Sequence, residues 1–245
     1  MRAEASIVAE ADGRGGTRLT TLRGESPLLP RRTGSRAGPG ATVHLVGGAA
    51  GPLCGDDLRL TITVGPGASL SVRSVAAQLA LPGRAGTPPS RLVVSATVAA
   101  GGALLWAPEP LIAAAGCHHL AITDVTVDEG GTLAWRDDLV CGRHAEESGD
   151  VRADVTVRYA GRTLHRHELA VGPSAPGWSG AAVLGGARAV GTLILAGPGL
   201  PAVALLGGDA VLMPMAGPGR LASAVGRDIR EVRAALGPLT VLPRP

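Results

Sequence analysis

The sequence predicts a mainly β chain in which β-hairpin units stack into a superhelical, solenoid-like arrangement, with one or two short helices. Three observations predict it: apolar and polar residues alternate through the first two thirds, one turn signature recurs, and helix signals are sparse. The alternation runs through Leu58–Val64, Leu70–Arg73, Leu92–Val98, Leu120–Val127 and Val151–Tyr159, the period of a strand with one buried face. Between these runs stand Val64-Gly65-Pro66-Gly67-Ala68-Ser69-Leu70, Val98-Ala99-Ala100-Gly101-Gly102-Ala103-Leu104 and Val127-Asp128-Glu129-Gly130-Gly131-Thr132-Leu133, each reading V-x-x-G-[AG]-x-L. Gly67, Gly101 and Gly130 are 34 and 29 residues apart, and a weaker copy places Gly161 another 31 on. A unit repeated at this interval that cannot bury its own apolar face stacks on its neighbours. The same turns also fit an ordinary antiparallel sandwich, in which glycine supplies the positive φ of each hairpin. Trp106 and Trp135 take equivalent places in two of the units.

Helix periodicity is clearest over 224–236, where Val225, Ile229, Val232 and Leu236 share a face and Gly237-Pro238 stops the run. Ser179–Ala189 is a second possibility, weakened by Gly185-Gly186. Thr33–Gly40, Pro82–Pro89 and Gly172–Gly177 read as loops. None is long enough for a linker, so 1–245 reads as one domain.

Composition excludes whole classes of chemistry. All 23 cationic residues are arginine, and Asn and Phe are absent as well, the pattern of a GC-rich genome. Without lysine there is no P-loop and no Schiff base. A chain 45% hydrophobic and 18% charged can bury a core, here of Val, Leu, Ala and Ile, since there are only three Trp and one Tyr. So few aromatics and a net charge of +3 argue against nucleic acid as a partner. Cys54, Cys117 and Cys141 form an odd set without C-x-x-C, which suits reduced cytoplasmic thiols. No run approaches the ~18 apolar residues of a membrane span.

Candidate sites are few. Gly177-Trp178-Ser179-Gly180 lacks the second glycine of a nucleophile elbow, and the prolines in Gly197-Pro198-Gly199 and Gly217-Pro218-Gly219 remove N–H groups that a pyrophosphate needs. Cys117 and His119, like His165 and His167, sit two apart in extended chain and share a face, a pairing of donors that suits Ni, Zn or Cu. No spacing dictates a third or fourth ligand, so solvated or hydrogen-bonded strand residues are the favoured reading. The acidic run Asp137-Asp138 through Glu146-Glu147 can supply an acid/base pair or a solvated loop.

Taken in order, five segments resemble the urease accessory protein D family, called H in some bacteria. They are Gly16–Arg32; the Gly-rich Gly47-Gly48 through Gly55-Asp56; Trp106-Ala107-Pro108-Glu109-Pro110-Leu111-Ile112; Leu139-Val140-Cys141-Gly142-Arg143-His144-Ala145; and Gly186–Leu193. Departures from the family pattern at Cys54, Arg73-Ser74-Val75 and Glu147-Ser148 point to an actinobacterial-like branch. The resemblance implies a non-enzymatic, cytoplasmic chaperone and scaffold for nickel insertion into apo-urease, bound to accessory protein F and through it to the GTPase G. It implies a β-superhelix, no tightly bound cofactor, and nickel in transit through an internal conduit. On that reading Ser74, Asp137, Asp138 and Arg143 are the conduit candidates, with Cys117 and His119 as weaker ligands. A β-solenoid interaction protein with another client and a small metal-dependent hydrolase built on Cys117, His119 and the acidic run are the rivals.

Overall fold

The computed structural model describes residues 1–34 and 38–242. Residues 35–37, within the loop read at Thr33–Gly40, lie outside the described residues. The first strands are β1 (Arg2–Ala11), β2 (Thr17–Gly24), β3 (Leu28–Thr33), β4 (Ala41–Gly47), β5 (Asp57–Val64), β6 (Ser69–Ser74) and β7 (Gln78–Ala80). They are followed by β8 (Ser90–Val98), β9 (Ala103–Trp106), β10 (Leu111–Ala113), β11 (His118–Val127), β12 (Thr132–Cys141), β13 (Asp150–Tyr159) and β14 (Arg162–Val171). The chain closes with β15 (Ala189–Ala196), β16 (Ala204–Gly207), β17 (Ala210–Pro214), β18 (Gly219–Gly226) and the helix α1 (Ile229–Leu236).

Two sheets face each other. One has seven strands in the order β14-β13-β11-β8-β5-β1-β2; the other has eleven, with β16-β17-β18-β15-β12-β9-β6-β4-β3 as its main path and β10 and β7 continuing beside β12. The solenoid-like expectation holds, but the repeating unit is not a hairpin. β5, β8, β11 and β13 pair in parallel, as do β4, β6, β9 and β12. Each of the three strong turn signatures therefore carries the chain across from one sheet to the other as an arch. The physical reason lies in the contacts between turns. Thr132 N–H donates to the Gly102 carbonyl and Ala103 N–H to that of Ala68, so the arches stack by main-chain hydrogen bonds. A Cβ on Gly102 would come within 2.9 Å of the Gly65 carbonyl oxygen, which is why small residues recur there. The weaker copy at Gly161 does form a hairpin, joining β13 to β14 with a bulge at Val157/Arg158.

The helix begins at Ile229, later than the periodicity suggests. Val225 belongs to β18, opposite Val190, and Asp228 caps the helix by accepting from the N–H groups of Arg230 and Glu231. Ser179–Ala189 forms turns rather than a helix, with Ala189 opening β15; Gly185 and Gly186, at φ +58° and +83°, break the helical conformation.

Among the described residues, three apolar cores result. The largest fills the space between the sheets near the arches, with Ile7, Leu60, Ile62, Leu104, Leu133 and Trp135. A second lies between the outer face of the eleven-stranded sheet and α1, where Leu193, Leu195 and Ala222 meet Val232 and Leu236. A third closes the far end of the sandwich around Cys117, Leu139, Cys141, Val151 and Leu184.

Candidate functional site

Pro108 and Pro110 have no N–H to give a ladder, so the strand that starts at Ala103 stops at Trp106 and resumes at Leu111. Its neighbour breaks at the same level, between Ser74 and Gln78. β12 runs through, pairing with β9 at Thr132–Trp135 and with β10 at Leu139–Cys141. The two breaks leave a gap in the eleven-stranded sheet beside Arg136, Asp137 and Asp138.

Behind this gap, between the first and third cores, lies a cavity of about 500 Å³. Its wall is mostly apolar, from Leu58, Leu60, Leu92, Val94 and Val155. Its polar groups include Ser74, Gln78, Glu109, His119, Thr123, Asp137, His167 and Thr192, and the lining continues through Gly47 and Pro108 out to exposed Val75.

Asp137 projects inward from β12, on the same face as Trp135. Its Oδ1 accepts from Trp106 Nε1 at 3.0 Å and its Oδ2 from Trp135 Nε1 at 2.7 Å. The two indoles, paired in register, are stacked with centroids 4.7 Å apart. Burial pushes the Asp137 carboxyl above the usual carboxylate range, against the pull of the two indole N–H groups. A group in that condition takes up either a proton or a cation readily. Ser74 Oγ donates to the Ala76 carbonyl and accepts from Glu109 N–H, tying the two lips of the gap together.

Asp138 points the other way. Arg136 Nε contacts both of its oxygens at 3.0 and 3.1 Å, and the Arg136 guanidinium also bonds Thr240 Oγ1. This buried pair sits under α1, where Gly191 stands opposite on β15; a Cβ there would lie 2.6 Å from Asp138 Oδ1. Burial raises the Asp138 carboxyl in spite of Arg136. Its contacts describe a structural ion pair at the edge of the gap, where Asp138 also lines the cavity.

His119 is 2% exposed and lines the cavity wall. Ser90 Oγ lies 2.9 Å from its Nδ1 and 3.2 Å from the His118 carbonyl oxygen. A hydroxyl has one proton to give; donated to the carbonyl, it leaves Nδ1–H as the donor to Ser90 and Nε2 as a bare acceptor. Nε2 has no partner among the described residues. Burial pulls the imidazole from 6.5 down to about 4. Between those values the unfolded chain binds a proton that the folded chain refuses, so stability falls as pH drops from about 6.5 and levels off near 4. The shift corresponds to about 3 kcal/mol. His119→Gln is expected to flatten that part of the stability profile, measured as urea midpoints across pH 4–7; an unchanged slope would contradict it.

The remaining sequence candidates lie elsewhere. Arg143 is exposed and pairs with Glu146 at 2.6–2.7 Å, which holds the Glu146 carboxyl down to about 2. Gly142, at φ +81°, makes the turn in which a Cβ would meet the Glu146 carbonyl at 2.3 Å. Cys117 is buried in the third core, its thiol pushed up to about 12 chiefly by burial, a poor source of thiolate. Asp56 accepts from the Met1 amine at 2.7 Å and from Leu53 N–H at 2.9 Å, while Gly55 takes φ +93° beside it and Gly48 packs on Ser26 and Leu29. Pro110 carries the chain into β10, and its carbonyl accepts from Gln78 N–H. Cys117, His119 and the acidic run are thus not brought to one point, and among the described residues no group of three or more His, Cys, Asp or Glu is placed to hold a metal. Sequence reasoning passed over Gln78, Thr123 and Thr192, whose only signal is a polar residue on a strand's inward face.

Comparison with known proteins finds one family over the whole chain. A family model described as UreD urease accessory protein matches residues 1–245. Among similar proteins, the urease accessory protein UreD of Streptomyces avermitilis is 45% identical over 241 residues, covering 96% of this chain and 95% of its own. That of a Parafrankia species is 43% identical over 262 residues, covering 98% and 88%. That of Frankia alni is 43% identical over 275 residues, covering 96% and 91%.

Proposed function

The chain belongs to the UreD urease accessory protein family, and from that membership we propose that it is a non-enzymatic scaffold and chaperone that delivers nickel to apo-urease. It works as one unit over 1–245 in the cytoplasm, bound to accessory protein F and, through F, to the GTPase accessory protein G. Apo-urease is its client; nucleic acid and membrane take no part. No lysine-dependent nucleotide chemistry is asked of it, because the GTPase supplies that step.

The observation that carries this reading is the cavity behind the broken strands, with the Asp137 carboxylate on its wall. An ion in transit must be held weakly enough to leave, so scattered hydroxyl, amide, imidazole and carboxylate groups serve better than a closed ligand set. Asp137 offers one negative charge where burial makes a passing cation a favourable counter-ion. Ser74, Thr123 and Thr192 offer neutral oxygens that can replace hydration one contact at a time.

The test is reconstitution from apo-urease, F, G, GTP and nickel. Urease activity is expected to appear at full rate only when this chain is added. Equal activation without it would refute the role, and failure of urease subunits and F to co-purify with it would favour a scaffold for another client.

A further inference from the structure

The edge strand β14 carries two imidazoles for which the account above has no use as a pair. His165 and His167 are two residues apart in extended chain, so both side chains leave the same face. Their rings lie with centroids 6.1 Å apart and planes 28° from parallel. Opposite them on β13 stand Val157 and Val155, which have no side-chain donor or acceptor to occupy a ring nitrogen. β14 ends the seven-stranded sheet; His165 is half-buried, and His167 is exposed and also lines the cavity.

The spacing lies close to that of a shared ion. Two imidazoles that each hold a metal at ~2.1 Å from one nitrogen, at the ~90–110° of octahedral or tetrahedral sites, have ring centres roughly 4.6–5.3 Å apart. The observed 6.1 Å is within about 1 Å of that, a distance that rotation of the exposed His167 side chain closes. We infer that His165 and His167 form a two-nitrogen binding site for a first-row divalent cation of the nickel, copper or zinc type, open to solvent at the sheet edge and continuous with the cavity. Nitrogen donors select these borderline ions over magnesium or calcium. Two protein ligands leave the other coordination positions to water, so the ion exchanges. Use of the pair to load nickel into the cavity rests on the proposed function; its capacity to bind does not.

The experiment titrates the full metal-free chain with nickel alone, following histidine side-chain NMR signals and the heat of binding. The His165 and His167 signals are expected to change together at the lowest nickel concentrations, before exposed His144. His165→Ala and His167→Ala should each weaken the tightest site at least about tenfold, since a chelate becomes a single imidazole, while His144→Ala leaves it unchanged. Unaltered melting temperatures, or the gentler His165→Asn and His167→Asn, confirm that binding and not folding was lost. Wild-type nickel affinity in folded His167→Ala, or another histidine responding first, would overturn the site. A protein with a filled cavity that still activated urease would end the passage reading and leave this pair intact, so the two failures are distinguishable.

Discussion

Asp138→Ala is expected to destabilise the protein by about 3–5 kcal/mol, because it leaves the Arg136 guanidinium buried without its counter-charge. The two side chains are 2% and 8% exposed and 2.8 Å apart, so water cannot replace the lost carboxylate. Thr240 Oγ1 is one remaining acceptor for Arg136, and it is neutral. The cost is that of stranding a charge, not the worth of the pair. Replacing both residues by apolar ones of similar volume, Arg136→Met with Asp138→Leu, is therefore expected to restore most of the stability. Chemical denaturation of the single and double variants separates these terms. Equal losses in both would mean that the pair itself holds α1 on the sheet.

Trp135→Ala is expected to cost about 3–5 kcal/mol, the usual penalty for deleting a large buried aromatic side chain. Trp135 is 1% exposed, packs in the main core and stacks on Trp106. Part of the loss is polar, because Asp137 Oδ2 accepts from its indole N–H. Trp135→Phe keeps much of the ring and removes that donor, so a smaller loss of about 1–3 kcal/mol should remain. Denaturation midpoints of the two variants, with the wild type as reference, decide how the loss divides. A Phe variant as stable as the wild type would show that Asp137 does not depend on the indole.

Both predictions concern neighbours on one strand, and the strand shows what sequence reading can reach. The equivalence of Trp106 and Trp135 is legible in the repeat, and the register of β9 with β12 brings the two together; the acidic run gives no sign that Asp137 and Asp138 face opposite sides, which follows from their places on β12. The choice between hairpin and arch was not legible. Gly67, Gly101 and Gly130 adopt φ of +68°, +70° and +80°, which either connection accepts. What decides is whether the flanking strands pair with each other or with the next repeat, a contact some thirty residues away. The second glycines, Gly102 and Gly131, did carry a trace of the answer, since each approaches the preceding turn's carbonyl groups. The helix start was misplaced because Val225 fits the helical period while pairing as a strand; Asp228 was the overlooked cap.

The candidate site was legible in type more than in place. Prolines 108 and 110 were recognised only as parts of a motif, yet as strand-breakers they help to create the gap over the cavity. Ser74, Asp137, Asp138 and His119 meet around that cavity, whereas Arg143 and Cys117 belong to a turn and to a core. No local rule distinguishes these outcomes, because a cavity is made by residues from many strands at once.

If nickel passes through the cavity, filling the cavity must stop its delivery. Ala121 is half-buried and lines the wall from β11, so Ala121→Trp places a large side chain in the path. The measurement is urease activation in the reconstituted mixture, using variant protein shown to be folded and still bound to accessory protein F. Activation and nickel content per urease active site are expected to fall together to the level seen without this chain. Full activation by the folded, F-bound Ala121→Trp protein would contradict it.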